Sequence, residues 1–365
     1  MITYRKYYKK IYSYFLFILF IGCSIVSHAQ NNLVQQQAFT IHSKILGEDR
    51  IIDVQLPKSY FVEEQHKANY PVVYILDGER NFPMMAAVES YGTRSMYRSY
   101  PEMIVVGIRN VDRNRDYTPT KPAITSNTKA SSYETSGQAA SFLDFINKEL
   151  KPYVNSNFRS NGFDVLHGHS FGGLFAMYTW LYQPDSFDAY LAIDPSFWWD
   201  DAVIYKGLKN AIENKDLVTK SVFIALAYES ETATKDRLDH GGTIRRFCEE
   251  VMPLDNKMLE NFAWKYYPDK DHGTVPWPSS MDGLVSIFNG IQLDVKKVPQ
   301  NPELIFETYS QISKKLKHTF LPDESLLIDL IRYTQRMNQE ENAKILFEYS
   351  KKLYPKSQYL QKFNS

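Results

Sequence analysis

The sequence predicts an α/β fold: a mostly parallel sheet of about eight strands with helices on both faces, plus a small C-terminal helical appendage. Three observations predict it. Short continuous apolar runs alternate with longer helix-patterned stretches through the middle of the chain. An alternating hairpin pattern precedes them, and only helical patterns follow residue 301. A strand without polar alternation is buried on both faces, which is the situation of a parallel sheet covered by helices.

In chain order, the first element is a leader. Arg5, Lys6, Lys9 and Lys10 form a positive n-region, residues 14–26 an apolar run, and Ser27-His28-Ala29 a small-residue cleavage site. This is the pattern of a secretory signal peptide occupying residues 1–29 and cut after Ala29. The apolar run is too short for a membrane helix, which needs about 20 such residues. Export to the periplasm or the extracellular space is therefore expected, without membrane insertion after cleavage. The rival is a lipoprotein signal at Cys23, for which Phe20 is a poor first residue in Phe20-Ile21-Gly22-Cys23. Removing the leader's four basic residues from the chain's 42 leaves 38 against 42 acidic ones, a net charge of −4. Cys248 is then the one remaining cysteine, so no internal disulfide is expected.

After a polar stretch, residues 39–46 and 50–56 alternate around Gly47-Glu48-Asp49, which reads as an antiparallel hairpin. The continuous apolar runs are 71–76, 103–108, 163–166, 190–193, 221–226 and 262–267. Between them, 141–153 carries a helical face of Phe142, Leu143, Phe145, Ile146 and Leu150, and 172–182 is a second apolar helix. Residues 304–316, 324–337 and 339–353 are amphipathic helical patterns, with Ala343, Phe347 and Pro355 spaced as in a tetratricopeptide-type repeat. At most about one and a half repeats are present, too few to stand alone, so docking on the main domain is expected. The expected division is 30–295 for the α/β domain and 296–365 for the appendage.

The 365 residues suffice for one large domain and such an appendage. Hydrophobic residues at 44% and charged residues at 23% are ordinary for a globular protein. With a formal net charge of zero and no basic stripe interleaved with aromatics, nothing points to a nucleic-acid partner. Oligomeric state is not readable.

The chemistry centres on Gly168-His169-Ser170-Phe171-Gly172-Gly173, which follows a strand and opens an apolar helix. A serine there sits on a sharp strand-to-helix turn, exposed at the carboxyl edge of the sheet. The helix N-terminus behind it supplies backbone N–H groups for a tetrahedral oxyanion, Phe171 among them. A serine hydroxyl needs a base. The order Ser…acid…His places that base after the last strand, at His272 in Asp271-His272-Gly273-Thr274. His240, before Gly241-Gly242, is a mid-chain alternative, while His167 and His169 flank the serine and read as packing. The acid is expected after the run 221–226, at Glu229 or Glu231, which spacing does not separate. Asp236 is weaker, and Asp194 and Asp200 sit one strand too early for this order. The second oxyanion donor is expected after 71–76, at the N–H of Gly78 or Glu79.

At these residues the chain resembles the esterase D type of esterases, which include ferric-siderophore esterases and have the α/β-hydrolase fold. The residues carrying the resemblance are Tyr74-Ile75-Leu76-Asp77-Gly78-Glu79, Val105-Val106-Gly107-Ile108 with Asp112-Arg113 and Arg115-Asp116-Tyr117-Thr118-Pro119, Gly168-His169-Ser170-Phe171-Gly172-Gly173, Pro195-Ser196-Phe197-Trp198-Trp199-Asp200 and Asp271-His272-Gly273-Thr274-Val275-Pro276. Together they fall within the stretch 38–290. The resemblance implies hydrolysis of a small-molecule ester by Ser170 and His272, an oxyanion hole after Asp77, and no metal or other cofactor. The chain departs from the pattern in two places. Asp194 stands where relatives carry a small or hydroxyl residue, and no acid position matches plainly. Some siderophore esterases look like Ser–His dyads, which would make the acid matter less.

Arg109, Arg113 and Arg115 follow a strand's carboxyl end and could bind an acidic substrate, but pairing with Asp112 and Asp116 is the favoured expectation. Trp198 and Trp199 could wall an aromatic or acyl pocket, with a core role for one of them equally expected. The expected protein is an exported serine hydrolase of carboxylic esters, with siderophore-type esters as the candidate substrates. The alternatives are a carbohydrate acetyl or feruloyl esterase and a degenerate hydrolase acting as a binding module.

Overall fold

In strand β3 (Tyr70–Ile75) every residue is buried, because successive side chains feed two different core layers. Val72 and Tyr74 enter one layer, and Val73 and Ile75 the other. The same alternation runs through the neighbouring strands. Ile104 and Val106 lie on the first side and Val105 on the second; Leu166 lies on the first and Val165 on the second. Period-two geometry turns a continuous apolar run into a two-faced sheet element. That is why these segments show no polar alternation.

The computed structural model describes residues 36–62, 68–122, 133–228 and 239–362. The leader at 1–29, Cys23 included, lies outside the described residues, and so do Glu229, Glu231 and Asp236. Residues 38–365 form one compact unit. Its strands are β1 (Gln36–Ser43), β2 (Glu48–Gln55), β3, β4 (Ile104–Ile108), β5 (Ser160–His169), β6 (Ala189–Ile193), β7 (Ser221–Ala227) and β8 (Phe262–Tyr267). They make one eight-stranded sheet in the order β1-β2-β4-β3-β5-β6-β7-β8. β2 runs antiparallel to β4 and all pairings from β4 to β8 are parallel. This is the α/β-hydrolase fold, with the expected mostly parallel sheet. All eight strands coincide with the runs seen in the sequence, give or take a few residues at their ends.

Helices cover both faces. Phe142, Leu174, Phe175, Ile204, Leu208 and Phe247 fill one layer. Helices Gly78–Gly92 and Pro276–Ile287 fill the other, through Phe82, Met85, Leu284 and Ile287. The C-terminal helices Leu304–Leu316, Glu324–Arg336 and Glu340–Leu353 belong to this second layer as well. Ile305, Tyr309, Ile312, Leu327, Ile331 and Leu346 pack into the same cluster, as do Val295 and Val298 on either side of residue 296. Packing is thus continuous across 295–296, and a partly buried Arg98–Asp323 ion pair adds a polar tie. Cys248 is buried and free. Among the described residues no helix is long and apolar enough to cross a membrane.

Glu89, on the inner side of helix Gly78–Gly92, is 2% exposed. Its oxygens accept from the Met103 N–H at 3.2 Å and from Gln55 Nε2 at 3.3 Å. Burial pushes its carboxyl from the ordinary 4.5 up to about 7; the Met103 N–H opposes that shift and the Glu102 charge adds to it. The folded state therefore keeps a proton that the unfolded chain releases, and stability must fall as pH rises through that window. At 1.36 kcal/mol per pH unit the full loss is on the order of 3 kcal/mol. Glu89→Gln removes the titration. The stability of wild type relative to this variant should drop by about 1–3 kcal/mol between pH 5 and pH 8, read from denaturant melts. A constant difference would contradict this.

Candidate active site

Three strands end at the carboxyl edge of the sheet in residues with left-handed backbone. Asp77 after β3 has φ 54°, Ser170 after β5 has φ 61°, and Asp194 after β6 has φ 46°. Non-glycine residues avoid this region, at a cost of about 1–3 kcal/mol each, so such turns mark places held by their surroundings. Ser170, with φ 61° and ψ −116°, stands immediately before helix Phe171–Tyr182. Its N–H donates to the Ile193 carbonyl at 3.0 Å, and its carbonyl accepts from the Leu174 N–H at 2.9 Å and the Ser196 N–H at 3.1 Å. Gly168 makes the turn possible: a Cβ there would sit 2.1 Å from the Gly172 carbonyl oxygen.

His272 follows β8 in the loop before helix Pro276–Ile287, its side chain 47% exposed. Its Nδ1 lies 2.6 Å from Oδ2 of Asp194, which is 1% exposed. The expected order of serine, acid and histidine along the chain is kept, but the carboxylate on the imidazole comes from the end of β6, not from beyond β7. Glu229 and Glu231 lie outside the described residues. The reason Asp194 qualifies is the strand order. β6 lies between β5, which carries the serine, and β7. The Asp194 N–H donates to the Ala225 carbonyl, and its Oδ1 accepts from the Ala227 N–H at 2.9 Å, which aims Oδ2 away from the sheet. Burial alone would raise this carboxyl. Hydrogen bonds from His240 and His272, with the Ala227 N–H, outweigh burial and hold it well below the usual carboxylate range. His240 Nε2 is the other partner of Oδ2, at 2.9 Å; the sequence left it as a mid-chain alternative.

A family model described as "Putative esterase" matches residues 43–242. The chain belongs to this esterase family and is an ester hydrolase. It is similar to the siderophore triacetylfusarinine C esterase of Aspergillus fumigatus, 27% identical over 269 residues, which cover 66% of this chain and 89% of that protein. It is also similar to the ferri-bacillibactin esterase BesA of Bacillus subtilis, 30% identical over 184 residues, 47% of this chain and 64% of that one. Among solved structures, an IroE-like serine hydrolase from Shewanella oneidensis superposes with a TM-score of 0.77 at 32% identity, covering 87% of this chain and 99% of that one.

In this esterase the loop after β3 lies beside the elbow. Gly78 packs so closely on β4 that a Cβ would approach the Ile108 backbone to 2.8 Å. Asp77 accepts from Arg113 Nε at 2.6 Å and from Asn110 Nδ2 at 2.7 Å. Arg113 Nη2 also donates to the His169 carbonyl at 3.2 Å, and its guanidinium lies 5.3 Å from the Phe171 ring. One arginine thus clamps the Asp77 loop to the Ser170 turn. The Arg80 and Asn81 N–H groups are taken by the Asp77 carbonyl, which leaves Gly78 and Glu79 as the first-turn N–H groups of helix Gly78–Gly92 with no backbone acceptor among the described residues.

The three arginines are paired, with Asp116 as expected but with Asp53, Asp77 and Glu48 in place of Asp112. Arg109 is held by Asp53 through two bonds of 2.7 Å, Arg113 by Asp77, and Arg115 by Glu48 and Asp116. Asp112 instead caps the Arg113–Tyr117 helix by accepting from the Arg115 N–H. Arg109 is therefore engaged with β2 rather than poised for a substrate anion. Trp199 is core: it is 1% exposed, and its Nε1 donates to Thr120 Oγ1 at 3.1 Å. Trp198 is half-buried, with its ring 6.0 Å from Phe171. Immediately beyond them Asp200, Asp201 and Ala202 are all left-handed, so regular helix starts after Ala202.

His169 and His167 serve as packing, as the sequence suggested. His167 is buried against Ser280 Oγ at 2.8 Å. The His169 ring lies 4.5 Å from the His272 ring, and burial, with the charge of His272, pushes it down to about 3, so it stays neutral beside His272.

Proposed function

We propose that the protein is an exported serine esterase that cleaves small-molecule carboxylic esters through an acyl-enzyme, with Ser170 as nucleophile, His272 as base and Asp194 as the acid. The observation that carries this reading is the 2.6 Å contact between His272 Nδ1 and Asp194 Oδ2 beside the strained Ser170 turn. A proton held between Nδ1 and the carboxylate leaves the Nε2 lone pair free to accept a proton. The Ser170 hydroxyl rests 3.3 Å from Ser196 Oγ, and rotation about its Cα–Cβ bond turns it toward the base. Its oxygen attacks the ester carbonyl while Nε2 takes the hydroxyl proton. The tetrahedral oxyanion is met by the N–H of Phe171 and of Gly78 or Glu79. Nε2 then protonates the leaving alcohol, and water repeats the sequence on the acyl-serine. No cofactor enters these steps.

Siderophore-type esters are the substrate class we assign. The similarity to esterases of triacetylfusarinine C and bacillibactin supports it. So does an aromatic wall of Tyr133, Phe171 and Trp198, and an open groove of about 710 Å³ beside His272 that includes Arg80 and the exposed Trp277. Export rests on the leader pattern of residues 1–29. A panel of esters containing a tri-lactone siderophore, an acetylated and a feruloylated sugar, and p-nitrophenyl acetate tests the class. The tri-lactone should give the highest kcat/KM. Preference for the feruloylated or acetylated sugar would place the protein among carbohydrate esterases, and no turnover of any ester would make it a binding module.

A further inference from the structure

Two imidazoles converge on one carboxylate oxygen, and the acyl-transfer mechanism uses only one of them. His272 Nδ1 and His240 Nε2 lie 2.6 Å and 2.9 Å from Asp194 Oδ2. Their rings stand nearly perpendicular, at 86°, with centroids 5.1 Å apart. The three possible ligand atoms lie within 4.8 Å of one another. We propose that Asp194, His240 and His272 form an inhibitory site for Zn²⁺, which switches the esterase off by taking the histidine base into a metal complex. The inhibitory half of this proposal rests on the serine-esterase reading above.

The donor set is the one such an ion takes. Zinc binds imidazole nitrogen at about 2.0–2.1 Å and carboxylate oxygen at about 2.0–2.2 Å, and three protein ligands with a solvent molecule complete its tetrahedron. Ligand atoms on such a tetrahedron stand about 3.3 Å apart, so small ring rotations that move the two nitrogens back from Oδ2, from which they now lie 2.6 and 2.9 Å away, would admit the ion. The site is also reachable. The side chains of His272 and His240 are 47% and 31% exposed, while Asp194 is 1% exposed and fixed through Oδ1 by the Ala227 N–H. It thus offers a rigid anionic anchor with two adjustable neutral ligands above it.

The proton accounting explains why binding inhibits. In the active form His272 carries its one proton on Nδ1, toward Asp194. A metal on Nδ1 needs that lone pair, so the proton moves to Nε2; His240 likewise moves its proton from Nε2 to Nδ1. No proton is gained or lost by the neutral rings. His272 Nε2, now protonated, cannot accept the Ser170 proton, which is the same wrong-tautomer fault that disables a triad lacking its carboxylate.

Zinc chloride titrated calorimetrically into the full chain in a non-chelating buffer tests the site, with wild type compared to His240→Gln and His240→Asn. Wild type should bind one Zn²⁺ per chain, and loss of one of three ligands should weaken binding by at least about 10-fold in either variant that melts as cooperatively as wild type. Equal affinity in a folded variant, or no binding by wild type, overturns the site. In a second arm, ester hydrolysis at saturating Zn²⁺ is compared with each protein's own zinc-free rate. Wild type should lose more than about 90% of its rate and the His240 variants much less at the same concentration, given the weaker binding expected of them. Binding with full retention of wild-type hydrolysis overturns the inhibitory role. Absence of hydrolysis without zinc would instead count against the serine-esterase reading, and the calorimetric arm would still decide the site.

Discussion

Replacing Asp194 by Asn should lower kcat for ester hydrolysis by roughly 10⁴-fold while leaving KM within a few-fold, because the change sets the wrong imidazole tautomer without touching the substrate. Asp194 Oδ2 accepts from His272 Nδ1 at 2.6 Å, and its other oxygen is committed to the Ala227 N–H. An amide in its place can present N–H₂ to the ring. His272 then turns its Nδ1 lone pair to that donor and carries its proton on Nε2, where the serine proton must go. Since Asp194 is 1% exposed and of similar size to Asn, the fold should survive. Glu229→Ala and Glu231→Ala, measured in parallel, should change kcat by less than about threefold, because the His272 Nδ1 already has its carboxylate in Asp194. A large loss in either glutamate variant, with Asp194→Asn nearly normal, would transfer the acid role to that glutamate.

The larger effect belongs to Ser170→Ala, which should reduce kcat by on the order of 10⁶-fold, the loss seen when a triad nucleophile is removed from a machine whose parts work as a unit. Ala and Ser differ by one hydroxyl, and that hydroxyl's partner is Ser196 Oγ at 3.3 Å, so little stability rides on it. Backbone strain at φ 61° is set by the Gly168–Gly172 approach and by the three backbone bonds around residue 170, and both remain in the variant. Melting temperature should shift by only a few degrees. Ser196→Ala serves as the neighbouring control and should keep most of the turnover. Residual activity of Ser170→Ala near wild type would show that another group attacks the ester.

Much of this was written locally in the sequence. The Ser170 turn is a contiguous hexapeptide between a strand and a helix, and His272 follows the last strand, so a positional rule finds both. The strands were legible because burial on two faces leaves unbroken apolar runs such as Tyr70–Ile75. Asp194, the acid we propose, was not legible as the carboxylate that meets His272. Spacing along the chain says which strand an aspartate follows, but not which strand ends lie side by side. Only the order β5-β6-β7 shows that the end of β6 can reach the loop after β8. A faint signal existed: an aspartate stands directly after an apolar strand, and aspartate tolerates the left-handed backbone found there. Asp53, Asp77 and Glu48 were hidden as arginine partners for the same reason, whereas Asp116, beside Arg115 in the chain, was not. Arg109 meets Asp53 through the antiparallel β2–β4 pairing, where Asp53 stands opposite Gly107, a contact no local pattern encodes. The amphipathic stripes of the last three helices were plain, but their shared layer with helices Gly78–Gly92 and Pro276–Ile287 was not, since a stripe names the buried face without naming what covers it.

The most direct test of the central claim is covalent. The full chain is treated with a fluorophosphonate, digested, and the modified residue mapped by mass spectrometry, alongside Ser170→Ala and Asp194→Asn. The predicted result is one adduct per chain, on Ser170, absent from Ser170→Ala and formed far more slowly in Asp194→Asn. No adduct on folded wild type, or an adduct on Ser196 that persists in Ser170→Ala, would contradict the account.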